Sequence, residues 1–189
     1  DYTEASNLYH KAAEQGNANA QFSLGKAYDT GRRGVPKEAA VAAMWFHKAA
    51  EQDHADAQHY FAIMCDYGIG VAQDDKEALK WYRKAADQGL SISQYCLGVK
   101  SEEGQGVQQD DTEAVKWFHK AAEQGHTGAQ EKLGLMYTVG RGVPQDDIEA
   151  VKWFREAANQ GDAKGQCSLG FMYDRRKPNR FLRPQRLHS

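Results

Sequence analysis

Trp45, Trp81, Trp117 and Trp153 stand 36 residues apart, and Leu8 occupies the same slot 37 residues before the first of them. A fixed period of this size confines the chain to a solenoid, in which each unit buries its apolar face against its neighbours. The one extra residue falls in "GRRGVP" (Gly31 to Pro36), where later copies read "GIGVA", "GQGVQ" and "GRGVP".

Each period carries two helical patterns. In "DDTEAVKWFHKAAEQG" (Asp110 to Gly125) the residues Ala114, Trp117, Phe118, Ala121 and Ala122 recur on one apolar face. Asp110 with Glu113 has the spacing of a capping box, as do Asp74/Glu77, Asp146/Glu149 and Asp1/Glu4. Gly16, Gly89, Gly125 and Gly161 fall where a left-handed residue ends the helix. In the second pattern, "TGAQEKLGLMYTVG" (Thr127 to Gly140), Ala129, Leu133 and Tyr137 form a stripe. Gly134 beside it points to a helix crossing too close for a side chain. The repeated residues are therefore expected to be core, with each tryptophan contributing at most about 4–6 kcal/mol on burial.

The combined pattern, A-x-A-Q-x-x-L-G-x-M-Y-x-x-G-x-G-V-x-Q-D-x-x-x-A-x-x-W-[FY]-x-K-A-A-x-Q-G, resembles the Sel1-like repeats, relatives of the tetratricopeptide repeat. The resemblance runs over residues 1–174, as four full repeats with a half at each end, and leaves 175–189 as a basic tail. It implies an all-α fold, a right-handed α-solenoid of antiparallel helix pairs. It also implies a non-catalytic scaffold or adaptor for protein–protein interaction. If the packing is tetratricopeptide-like, the A-x-A-Q helices line a concave groove. Lys26, Ile63, Val99, Leu135 and Phe171 then form a mostly apolar, solvent-facing row. Asp29, Asp66, Glu102, Thr138 and Asp174 form a mostly acidic row beside it, and Phe22, His59 and Tyr95 add aromatic anchors. Such a groove suits a peptide or protein segment carrying apolar and basic residues; the alternative is that the acidic slot serves solubility and the apolar row is half covered by the next repeat. The middle copies depart from the pattern: Cys65 and Ser101 replace the stripe tyrosine, Ala62 the glycine and Asp53 the helix-ending glycine. Either a ligand pocket sits there or these copies have drifted.

Chemistry is not indicated. "SLGK" (Ser23 to Lys26) lacks the companion motifs of the penicillin-recognising enzymes, and the GxGV loops follow helices, so they are not phosphate loops. His10, His47 and His119 share a slot with Arg83 and Arg155 and read as solvent-facing. His54 and His59 lack partners at metal spacing, so neither a metal nor a cofactor is expected. Cys65, Cys96 and Cys167 read as free thiols, unlike the within-repeat pairs of disulfide-bridged relatives.

No apolar run reaches the ~18 residues of a membrane span, and compartment is left open. Of 24 basic residues six lie from Arg175 onward, where there is no acid, so the preceding body carries 18 against 26 acids, a net of −8. That acidic body argues against extended nucleic-acid contact. The tail offers an alternative function, binding anions such as nucleic acid or membrane headgroups. It reads equally as a cap through Phe181, Leu182 and Leu187, or as a truncation scar. Self-association through the solenoid ends or the tail is a further expectation.

Overall fold

The computed structural model describes residues 2–32 and 35–175, with side chains from residue 7 onward. Ten helices occupy that span: α1 (Tyr2–Glu14), α2 (Ala18–Thr30), α3 (Ala39–Ala50), α4 (Ala55–Tyr67), α5 (Asp75–Asp87), α6 (Ser91–Glu103), α7 (Asp111–Glu123), α8 (Thr127–Val139), α9 (Asp147–Asn159) and α10 (Ala163–Arg175). No strand occurs among the described residues. Each helix packs chiefly on its sequence neighbours, which makes the chain an all-α repeat solenoid. Asp1, Glu4's side chain, Arg33, Gly34 and residues 176–189 lie outside the described residues, so the first capping box and the tail readings are not addressed. Arg175, placed in the tail by the sequence pattern, is the last residue of α10.

The tryptophans and their neighbouring rings are core: Trp81 is 3% exposed, and Phe46, Tyr82, Phe118 and Phe154 are fully or almost fully covered. The crossing expected at Gly134 is present and recurs. A Cβ at Gly25 would lie 2.5 Å from a carbon of Phe46, one at Gly98 2.5 Å from Phe118, and one at Gly134 would clash with the edge of the Phe154 ring. The small residue is what lets each ring sit between two helices.

The capping boxes are half formed. Asp74, Asp110 and Asp146 accept from backbone N–H groups of their first helical turns. Their own N–H groups, however, donate to Cys65, Ser101 and Tyr137 carbonyls of the preceding helix, each at 2.9 Å. That bond does the work expected of the glutamate and clamps each GxGV loop. Glu77 is thereby released and accepts from the Trp81 indole at 2.7 Å. Asp53 adopts the left-handed conformation its glycine counterparts use, with φ 59, and its carboxylate accepts from Gln58 Nε2 at 3.2 Å.

A ladder of glutamines runs through the repeats. Gln21, Gln58, Gln94 and Gln130 are buried. Each donates its amide N–H to a carbonyl near the end of the preceding helix: Ala13, Ala50, Ala86 and Ala122, at 3.0–3.1 Å. Each side-chain oxygen in turn accepts from the glutamine that ends the following helix, Gln52, Gln88, Gln124 and Gln160, at 2.7–2.9 Å. Three successive helices are thus tied through one buried side chain, with donor and acceptor both satisfied.

Gly134→Ala should therefore lose about 1–3 kcal/mol in urea unfolding, because the methyl group overpacks Phe154. Gly170, the same slot in α10, has nothing among the described residues within 4 Å of an added Cβ. Gly170→Ala should be neutral or gain up to about 1 kcal/mol from helix propensity. Equal effects at the two sites would contradict the close-packing account.

Candidate functional site

The even-numbered helices stand side by side and present the residues expected to line a groove. Their environments differ along the row. At the α2–α4 end, Phe22 is half-buried, stacked on the His54 ring at 4.7 Å and packed near Phe46 and Tyr60. Lys26 donates to the Tyr60 hydroxyl at 2.9 Å. Asp29 is half-buried. His59 is buried, within 2.9 Å of Ser93 Oγ across the α4–α6 junction. Tyr95 is half-buried and stacked on His126 at 4.5 Å.

The apolar row is not uniformly solvent-facing. Ile63 and Val99 are half-buried and packed on the core, because the helix of the next repeat lies over them. Leu135, at 45% exposed, and Phe171, at 60%, are open. The acidic row departs further from expectation. Asp66 pairs with Lys100 Nζ at 2.5 Å, both side chains nearly buried. Glu102 pairs with Lys132 at 2.6 Å and Arg141 at 2.9 Å. These cations come from the following helix or its loop, so the carboxylates join repeats to one another. Sequence period alone hid this, since Lys100 sits in a slot filled by Met64, Met136 and Met172 elsewhere.

The opening lies between α8 and α10. A cavity of about 270 Å³ is lined by Leu135, Thr138, Phe154, Cys167, Ser168, Phe171 and Met172. Its origin is a size difference at one slot. Tyr60 of α4 fills the equivalent space over Phe46, ring stacked at 5.2 Å; in α10 that slot is Ser168. A second cavity of about 150 Å³ adjoins it, sharing Leu135 and Thr138 and reaching Glu102, Lys132 and Arg141. Arg175 lies over the Phe171 ring at 5.7 Å.

In the slot read as solvent-facing, His10, His47 and His119 are half-buried. His119 Nε2 is 3.1 Å from the Tyr137 hydroxyl and its ring meets Trp153 edge-on at 5.4 Å. His10 contacts Tyr28 and Trp45 in the same manner. Where Cys65 replaces the tyrosine, His47 packs on Phe61 at 4.7 Å instead. Arg83 and Arg155 in this slot are exposed. His126 and His54 act as N-caps, their Nδ1 atoms accepting from Ala129 and Ala57 N–H groups. The cysteines are free, and burial pushes the Cys65 and Cys96 thiols up to about 11. No group of three or more potential metal ligands occurs among the described residues, and no helix there is long and apolar enough to cross a membrane.

Burial holds the imidazoles of His59, His119 and His126 below the usual 6.5. The unfolded chain then binds more protons than the folded one as pH falls through that value, so stability is full above it and declines below. Melting temperature should drop from about pH 7.5 to about pH 5. In His126→Asn, which keeps an N-cap like that of Asn17, the drop should be shallower. An unchanged acid slope would show that the His126 cap does not titrate with folding.

The Sel1 repeat family model matches residues 1–17, 18–54, 55–90, 91–126 and 127–162. Among solved structures, a protective antigen present in uropathogenic Escherichia coli strains, displaying an SLR fold, is 40% identical with a TM-score of 0.89. The match covers 92% of this chain and 37% of that one, so the chain spans little more than a third of that relative's length. A Sel1 repeat protein from Oxalobacter formigenes is 38% identical over 90% of this chain and 68% of its own, with a TM-score of 0.81. Helicobacter pylori cysteine rich protein B is 25% identical over 68% of this chain and 92% of its own, TM-score 0.53. No curated protein sequence matches. With the repeat recognised across most of its length, the chain belongs to the Sel1 repeat family.

Proposed function

We propose that this chain is a non-catalytic scaffold that holds a peptide or protein segment along the face of its even-numbered helices, anchored between α8 and α10. Sel1 repeat proteins are generally protein–protein interaction scaffolds, and the finer assignment rests on the cavity beneath Leu135 and Phe171. Its lining is mostly apolar, with Phe154 among the lining residues beside Thr138 and Ser168, and the Thr138 hydroxyl donates to the Gly134 carbonyl. A bulky apolar side chain of a ligand would take the place that Tyr60 takes over Phe46, excluding water from an aromatic surface.

The ligand's apolar part has the stronger support. Asp66 and Glu102 are already paired, which withdraws two of the row's four carboxylates from a basic segment. Ligand polarity near the anchor would instead meet the mixed charges of Glu102, Lys132 and Arg141.

Selection of a displayed random-peptide library on the full chain tests the reading. Retained peptides should share a large apolar residue, and Ser168→Tyr should weaken them about tenfold or more, near 1.4 kcal/mol, with helicity unchanged. Peptides that bind wild type and Ser168→Tyr equally would remove the cavity as the anchor.

A further inference from the structure

The outer face of the tryptophan-bearing helices is charged in α5, α7 and α9 and apolar in α3. In the first three an exposed lysine bonds the glutamate three residues before it: Lys80 with Glu77, Lys116 with Glu113 and Lys152 with Glu149, at 3.1–3.3 Å. In α3 the same two slots hold Val41 and Met44. A further ion pair is replaced alongside. Arg141 bonds Asp111 at 3.0 Å, and the slots two repeats earlier hold Ile69 and Ala39. From Ala39 to Phe46 no residue carries a charge, while Met44 is 43% and Ile69 40% exposed. Helix α3 lies inside the array, packed on α2 and α4, so the residues of its own repeat set this face. An apolar patch that replaces charge in one copy of a repeat marks a contact surface. Beside Met44 a hollow of about 270 Å³ is lined also by Ala40, Ala43, His47, Phe61 and Val71. Small residues open it: Ala43 stands in the slot of Leu79, Val115 and Val151, and Ala40 in that of Lys76 and Ile148. The patch thus sets a projecting side chain next to a recess, which is what a self-complementary, two-fold contact requires of a single surface.

We propose that this face is the two-fold interface of a homodimer, α3 of one copy packed antiparallel on α3 of a second, with Met44 of each seated in the hollow of the other. The charges at the helix ends select a second copy as the occupant. Glu38 stands in the N-cap slot but, unlike Asp74, Asp110 and Asp146, makes no side-chain cap bond. Lys48 lies in the last turn, and both are exposed. Antiparallel pairing centred on Met44 brings Lys48 of each copy to the Glu38 end of the other, and Glu51 to the Lys37 end, so opposite signs meet on both sides of the apolar centre. The same pairing through α5, α7 or α9 would set Lys80, Lys116 or Lys152 against its own copy at the axis. Among these four helices α3 alone has a centre that can face itself. Because one patch serves both copies, the assembly closes at two chains.

Sedimentation velocity on the full chain, across the micromolar range expected of a small interface, should show a mass that rises to two chains and stops there. Met44→Lys installs the residue that α5, α7 and α9 already carry, so helical circular dichroism should be retained. Dimerisation should weaken about tenfold or more, because lysines then meet at the axis. Glu38→Lys and Lys48→Glu should each weaken it as well, and the double variant Glu38→Lys/Lys48→Glu should recover it, since exchanging the signs preserves the pairing. A chain monomeric at all concentrations overturns the proposal. So does a dimer that Met44→Lys leaves unchanged, an assembly that grows past two chains, or a double variant no better than the single ones.

Discussion

The buried glutamine amide is the interaction on which the repeat depends. Alanines, tryptophans and phenylalanines supply the apolar area, but area has no direction and would let neighbouring helices slide. Gln58 reaches back to the Ala50 carbonyl and accepts from Gln88, fixing three helices in one register. The amide is buried, so a slip would leave its donor and acceptor unpaired, at a cost near 1–3 kcal/mol for each. The same unit appears four times, which makes the solenoid a series of identical joints. Between the joints, the rings of Phe46, Phe118 and Phe154 fit over glycines, so shape and hydrogen bonding agree on one packing.

Most of this frame was legible in the sequence, because a period repeated with few exceptions averages out local ambiguity. The helix pairs, the tryptophan core, the glycine crossings and the free cysteines all followed from residue spacing and type. The role of the glutamines was not legible, since a glutamine before a helix-ending glycine is already accounted for by capping alone. Their role needs the distance between helices 30 residues apart, which spacing does not report. The second half of the capping box failed for a related reason. The N–H of Asp110 was taken up by Ser101 of the preceding helix, a contact set by loop geometry.

The groove was read less well, and the physical cause is the joint between repeats. Slots that face solvent on an isolated helix are covered when the next helix stacks, so Ile63 and Val99 are partly withdrawn. The carboxylates of the acidic row find cations one repeat onward: Lys100 for Asp66, Lys132 and Arg141 for Glu102. What remains open is decided by single side-chain sizes. Tyr60 closes the first junction, and Ser168 leaves the last one hollow.

The central claim, that buried glutamines and not apolar area alone hold the helices in register, is tested most directly by comparing Gln94→Met with Gln166→Met in equilibrium unfolding. The substitution keeps length and adds apolar character, so an area-only account expects both variants to be as stable as wild type. The joint account expects Gln94→Met to lose about 1–3 kcal/mol, from the lost hydrogen bond to the Ala86 carbonyl and the broken link to Gln124. Gln166→Met, at an exposed position with one long contact, should change little. Equal stability of the two variants, or a gain at Gln94, would contradict it.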